Sequence, residues 1–346
     1  METMKALVLV EYNRLEIREV PRPEPGPGEV LVRVKACGIC GSDVHGMDGS
    51  TGRRIPPLIM GHEAAGVIDR LGSGVTGWQP GDRVTFDSTI SCGECAYCRS
   101  GLINLCDNRR VLGVAIEEYH QDGAFAEYVT VPARILYRLP EGVSFTQAAM
   151  IEPVSVAFHA VNLTPIRLND TAVVIGAGMI GLLTIQTLRL AGCGKIIAVD
   201  QVPDRLELAC RHGADVGINA AAEDAVSAVL RETGGQGADI ALEAVGVSQT
   251  INLAVDCLRK NGHLTLIGNV SPAVEYPLQK IVSRQITTRG SAASCGEYPA
   301  CLDMLARGAV KVESLISAEA PLEEGPLWFK RLYDREPGLV KVILVP

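Results

Sequence analysis

The chain has 346 residues, 47% of them hydrophobic and 21% charged, with 40 Asp+Glu against 32 Lys+Arg and a formal net charge of −8. This is globular composition, and it excludes a disordered or fibrous chain. The length corresponds to about two domains with a core that needs no disulfide staples, and an acidic chain argues against a nucleic-acid partner.

In chain order, Lys5–Val10 and Glu29–Ala36 read as strands, separated by Pro21, Pro23, Pro25, Gly26, Pro27 and Gly28. Gly66–Leu71 and Gly81–Thr85 read the same way, which gives an irregular β-rich N-terminal domain. Met1–Val10 has no export-signal pattern, so the expected compartment is the cytoplasm.

Eleven cysteines are present and most cluster. Reduced thiols in tight spacing point to metal rather than disulfides. Cys92-x2-Cys95-x2-Cys98-x7-Cys106 can close a four-thiolate shell around a structural zinc, with iron–sulfur ligation as the competing reading. A second set is dispersed: Cys40-Gly41-Ser42-Asp43-Val44-His45, Gly61-His62-Glu63 and Glu152-Pro153. A thiolate, an imidazole and a carboxylate from separate segments suit an open zinc site with three protein ligands. His120, His159, His212 and His263 read as structural.

From about residue 155 the pattern becomes strand–helix alternation. Ala172–Ile175 is an apolar strand, followed by a helical run to Leu190 that Gly192 stops. Lys195–Val199 is a strand and Pro203–His212 a helix closed by Gly213. Asp239–Ala244, Leu264–Ile267 and Ile286–Arg289 are further strands, and Tyr298–Arg307 is a helix. The fully apolar strands predict an α/β fold with a parallel sheet covered on both faces. The uncharged run Thr171–Leu188 reads as strand, glycine turn and buried helix rather than a membrane span. A last strand, Val340–Val345, is expected to return to the N-terminal domain.

Gly176-Ala177-Gly178-Met179-Ile180-Gly181 follows the strand Val173-Val174-Ile175, opens a helix, and is followed by a strand ending in Asp200. That context makes it a dinucleotide-binding turn. Gly176 permits the tight turn, Gly178 the approach of a pyrophosphate to the helix N-terminus, and Gly181 close helix–strand packing. Asp200 can accept both adenosine ribose hydroxyls, which favours NAD over NADP, with Arg205 nearby.

Gly61-His62-Glu63-x2-Gly66-x5-Gly72-x2-Val75 resembles the signature of zinc-containing alcohol dehydrogenases. With the cysteine cluster and the dinucleotide turn, the chain is similar over nearly its whole length to the medium-chain dehydrogenases, and within them to the sorbitol (polyol) group. Cys40 to His45 and Ile151-Glu152-Pro153 carry the subgroup. The resemblance implies a GroES-like catalytic domain over 1–154 with 291–346, holding a zinc lobe at 92–106, and a Rossmann doubly wound domain over 155–290. It implies two zinc ions per chain. Cys40, His62 and Glu152 would hold the catalytic one, Glu63 would ligate it directly, through water or intermittently, and Asp43 would orient His62. Ser42 would take the substrate proton and pass it through the nicotinamide ribose to His45. Met179, Ile180, Val245, Ile267 and Gly268 would complete the coenzyme contacts.

The implied reaction moves hydride from a secondary hydroxyl of a polyol, free or phosphorylated, to NAD, giving a ketose. Threonine 3-dehydrogenase-like and butanediol-type activities are the enzyme alternatives, and a non-catalytic zinc- and nucleotide-binding protein is the alternative of another class. Ala293 and Ser294 stand where animal sorbitol dehydrogenases carry an Arg-Tyr pair, which points away from sorbitol itself and toward a larger polyol. No membrane partner is expected. A homodimer or homotetramer, joined near Ile286–Arg289, is implied.

Overall fold

Alternating apolar and polar residues build the sheets of the N-terminal half. The computed structural model describes residues 2–346 and divides into two compact units, 2–152 with 298–346 and 153–297. In the first unit Thr3–Glu11 pairs antiparallel with Arg14–Pro21. A larger sheet orders its strands Leu136–Arg138, Arg83–Phe86, Glu63–Leu71, Glu29–Gly38, Lys341–Val345 and Ile316–Pro321. Glu29–Gly38 is its centre. It pairs Glu63–Leu71 on one side; on the other it takes Tyr128–Pro132 along its first half and Lys341–Val345 at its end. The C-terminal strand is therefore part of this sheet, and it starts beside the residues that follow Gly38. Arg14–Pro21 is a strand at a sheet edge, whose Leu15, Ile17 and Val20 pack partly buried against the core while the charged residues between them face outward.

In the second unit six strands run in the order Val216–Asn219, Lys195–Asp200, Thr171–Ile175, Ala238–Glu243, Leu258–Leu266 and Thr287–Gly290. Every neighbouring pair is parallel. Helices Met179–Leu190, Pro203–Arg211, Ala225–Glu232 and Ser248–Cys257 supply crossovers. This is the doubly wound arrangement. Its order reverses between Thr171–Ile175 and Ala238–Glu243, the place outside whose carboxyl strand ends ligands bind in sheets of this kind. The uncharged run 171–188 is a strand, a turn and a helix, and among the described residues no helix is long and apolar enough to cross a membrane.

The sequence placed the unit boundaries at 154/155 and 290/291; the compact units meet at 152/153 and 297/298. Hydrogen bonds account for the second difference. Ser291 N donates to Leu266 O (2.9 Å), Cys295 N donates to Glu297, and Glu297 Oε1 lies 2.7 Å from His159 Nδ1. They tie 291–297 to the second unit after its last strand has ended.

Candidate active site

Strand Glu29–Gly38 runs directly into the first helix, α1 (Gly41–Gly46), with Cys40 as its N-cap. Asp43 N and Val44 N donate back to Cys40 O at 3.0 and 3.2 Å. The short helix sorts its residues by face: Asp43 and Val44 are buried, while Ser42 and His45, three positions apart, are exposed on one side. On the neighbouring strand Glu63 lies opposite Gly38. A Cβ on Gly38 would sit 2.3 Å from Glu63 Oε2, so glycine there is what admits the carboxylate.

These elements bring Cys40, His62 and Glu63 together, each offering a ligand atom within 4.8 Å of the others. Glu152 is outside that group. It is half-buried at the start of helix Ile151–Leu163 and accepts from Ser88 Oγ at 3.4 Å. Burial pushes its carboxyl up to about 7, with Glu63 and Asp87 adding to the rise while His62 and Lys341 oppose it. It therefore lies within the field of the Cys40 group although its oxygens are outside the 4.8 Å set.

Two buried cations back the acidic residues. Lys341 Nζ donates to Glu63 Oε2 (2.6 Å) and to Ile39 O (3.0 Å). Burial works against its charge, but Glu63 and Cys40 hold it protonated. Arg54, 4% exposed, donates from Nε and Nη2 to Asp43 Oδ1 at 3.2 and 2.9 Å. Burial would raise the Asp43 carboxyl, but His62 and Arg54 bring it down to about 2. His62 Nδ1 is 3.5 Å from Asp43 Oδ1. Although burial disfavours its charged form, Asp43 and Cys40 push the imidazole well above its ordinary value. An excess of negative charge around an imidazole is the field a divalent cation satisfies. His62 Nδ1 and Asp43 Oδ2 are also buried without hydrogen-bond partners, as expected of groups whose geometry a metal completes. Neither Arg54 nor Lys341 belongs to a recognisable motif, so only the fold reveals them.

The cysteine cluster is separate. Cys92, Cys95, Cys98 and Cys106 offer sulfurs within 4.8 Å of one another, and Cys92 Sγ lies 3.9 Å from Cys98 Sγ. A Zn–S bond of about 2.3 Å gives a tetrahedral edge of about 3.8 Å, so the spacing fits zinc. Cys92 N donates to Cys106 Sγ, Cys95 N to Cys92 Sγ and Cys98 N to Cys95 Sγ, at 3.2, 3.4 and 3.5 Å. Backbone N–H groups of Glu94 and Cys95 lower the Cys92 thiol to about 6, whereas burial and the other sulfurs raise Cys98 to about 11. Four adjacent thiols cannot all ionise without a cation among them.

In the second unit Gly176 has φ +93°, and a Cβ there would meet Val245 Cγ2 at 2.6 Å. Gly178 caps helix Met179–Leu190 with open space where a Cβ would stand, which leaves the helix N-terminus accessible to an anion. A Cβ on Gly181 would lie 1.8 Å from Gly176 O, so the helix packs directly on the turn. Met179 and Ile180 are half-buried in the first helical turn, and Arg205 is half-buried in the next helix. Asp200 Oδ2 accepts from Ala177 N (2.7 Å), and Oδ1 from Gln201 N and Val202 N (2.7 and 3.0 Å). It thus fixes the glycine turn as well as ending its strand. Glu243, hidden in an apolar strand, is a further residue that the motifs did not single out. Fully buried, its Oε1 accepts from Val245 N and Gly246 N (2.9 and 2.8 Å), while its backbone O accepts from Ile267 N and Gly268 N (2.8 and 3.0 Å). One residue therefore holds both expected coenzyme loops. Ser294 is buried and Ala293 has φ +52°, so this stretch is a constrained turn.

Residues 26–141 match the alcohol dehydrogenase GroES-like domain, and residues 180–307 match the zinc-binding dehydrogenase domain. The chain is 37% identical over 352 residues to a sorbitol dehydrogenase of Halalkalibacterium halodurans, covering 99% of both. It belongs to the zinc-containing medium-chain alcohol dehydrogenase family, in its sorbitol/polyol group. Among solved structures it is similar to a zinc-binding dehydrogenase of Sinorhizobium meliloti bound to NADP (34% identity, TM-score 0.92, all of both chains). It is also similar to galactitol-1-phosphate dehydrogenase of Escherichia coli (30%, TM-score 0.91, 99% of this chain and 100% of that one). As a family member the chain is an oxidoreductase that uses zinc and a nicotinamide nucleotide.

Proposed function

We propose that this protein oxidises a secondary hydroxyl of a polyol, free or phosphorylated, to a ketose with NAD+. The first unit is read as the catalytic domain and the second as the coenzyme domain. The supporting observation is the Cys40–His62–Glu63 group, with Asp43 and Arg54 behind it and Ser42 and His45 exposed beside it; the polyol class rests on the likeness to sorbitol and galactitol-1-phosphate dehydrogenases. Cys40, His62 and Glu152 would hold the catalytic zinc, with Glu63 beside it, and the four clustered cysteines a structural one. The charges support this: Arg54 matches Asp43 and Lys341 matches Glu63, while the Cys40 thiolate and the Glu152 carboxylate match the two charges of zinc. Zinc would supply Lewis acidity toward a hydroxyl oxygen, and the nicotinamide a hydride acceptor. Ser42 accepts the hydroxyl proton and His45 delivers it to solvent. Glu152 favours a polyol over ethanol, since its carboxylate accepts hydrogen bonds that a neighbouring substrate hydroxyl can make and ethanol cannot.

The test is reduced-coenzyme absorbance with pentitols, hexitols, a hexitol phosphate, butanediol, threonine and ethanol at matched concentration, with and without chelator. A polyol is expected to give the highest kcat/KM, with activity lost to chelator. Highest efficiency with threonine or ethanol refutes the polyol reading, and no turnover with any of them points to a binding protein.

A further inference from the structure

Arg54 makes more contacts than a structural arginine needs. Besides holding Asp43 Oδ1, its Nη2 donates to Ser42 Oγ at 3.3 Å, and Nη1 donates to Arg53 O at 3.1 Å. Its backbone is fixed from both sides, with Ala115 N donating to Arg53 O (3.3 Å) and Ile55 N to Ala115 O (3.1 Å). The stem crosses α1 over Gly46, where a Cβ would lie 2.5 Å from Arg54 Cγ. Gly46 has no positive φ, so glycine is required there for space and not for backbone conformation. The helix is notched to let this side chain reach Ser42 and Asp43 together.

We propose that Arg54 is a positioning residue of the metal site, orienting His62 through Asp43 and giving the Ser42 hydroxyl a single direction. A guanidinium only donates, whereas a serine hydroxyl has two acceptor lone pairs and one proton. With one lone pair occupied by Arg54 Nη2, Ser42 keeps one acceptor position and one donor position. A proton arriving from the substrate hydroxyl binds the remaining lone pair as the serine's own proton leaves to the next acceptor. The hydroxyl ends unchanged, and Arg54 transfers nothing. The same nitrogen fixes Asp43 Oδ1, 3.5 Å from His62 Nδ1. The metal ligand and the hydroxyl that would meet the substrate therefore take their geometry from one planar group. Lysine, with a compact ammonium, cannot span both partners in that plane.

This inference rests on the proposed function for the role of Ser42 but not for the link to His62, and the experiment separates the two. R54M, R54K, S42A and S42A/R54M are compared with wild type in two assays. The first is zinc retention against pyridine-2,6-dicarboxylate, read by elemental analysis. R54M is expected to release its second zinc at about 10–100-fold lower chelator, the effect usual for partners behind a metal ligand, and R54K to retain it. The second is kcat on the best polyol with zinc in excess. R54M is expected to lose about 10–100-fold on its own but less than about threefold in the S42A background, because coupled residues are not additive. R54K, which keeps the buried charge, is expected to hold zinc yet remain slow, and it decides the matter if R54M does not fold. Wild-type zinc retention by R54M, multiplicative losses with S42A, or wild-type turnover by R54K each overturn the proposal. If the wild type oxidises no alcohol, the proposed function fails and zinc retention alone decides the Arg54–Asp43–His62 link.

Discussion

Lys341 is a buried ammonium 2.6 Å from a buried carboxylate, and both side chains are almost wholly enclosed, at 3% and 1% exposure. Such a pair contributes little net stability, but removing one partner strands the other. Lys341→Met should therefore destabilise the protein by about 3–5 kcal/mol in urea unfolding, and adding Glu63→Gln should recover part of the loss. Equal stability of Lys341→Met and wild type would show that Glu63 does not need Lys341 as its partner in the core. Of the residues in this group, Cys40, His62 and Glu63 were legible because their types can ligate metals and their motifs are compact. Arg54 and Lys341 were not, since a single basic residue in a strand or loop looks like any solvated charge until packing buries it.

At the scale of elements, sheet and turn each carry a test. Asp239, in strand Ala238–Glu243, accepts from Thr171 N (2.8 Å) and from Arg259 Nε (2.6 Å). Burial opposes its ionisation, but those two donors lower its carboxyl below the ordinary value. A depressed carboxyl stabilises the fold above its unfolded pKa of about 3.9 and loses that contribution as the pH falls through the folded value. Asp239→Asn should cost about 1 kcal/mol at pH 7, with the gap to wild type closing below about pH 4, as followed by thermal melts. Asp200 closes the glycine turn through Ala177 N, so Asp200→Gly should both weaken NAD binding and narrow the preference over NADP. The wild-type preference is expected to be about two orders of magnitude, close to 3 kcal/mol, as a phosphate beside a carboxylate is repelled. Equal kcat/KM with both coenzymes would remove Asp200 from this role. In the cysteine lobe, Cys95→Ser should lose one zinc per chain by elemental analysis and lower the melting temperature, because metal binding is part of that segment's folding energy.

For the whole molecule, metal-replete protein is expected to hold two zinc ions per chain, and one or none refutes the pair of sites. Strand Thr287–Gly290 ends its sheet with one edge unpaired, and Leu278 and Val282 on the adjacent helix Leu278–Arg284 are 65% and 70% exposed. An open edge flanked by apolar side chains calls for cover, and light scattering should find a dimer or tetramer of the 36.8 kDa chain. A monomer at micromolar concentration would reject it.

The sequence by itself determined the glycine turn, the four-cysteine lobe and the second unit's sheet apart from Val216–Asn219, a short, mostly half-exposed strand with little apolar signal. In each, function depends on residues close in the chain: glycines within one turn, cysteines within one loop, apolar runs that can only be buried strands. Tertiary structure decided what depends on residues far apart. It placed Lys341, from the last strand, beside Glu63; it ran Arg54 over Gly46 to reach Asp43 and Ser42; and it grouped Glu63, not Glu152, with Cys40 and His62 within 4.8 Å. The reason is strand pairing: register along Glu29–Gly38 sets which distant residues meet at its end, and sheet register is a property of the assembled fold.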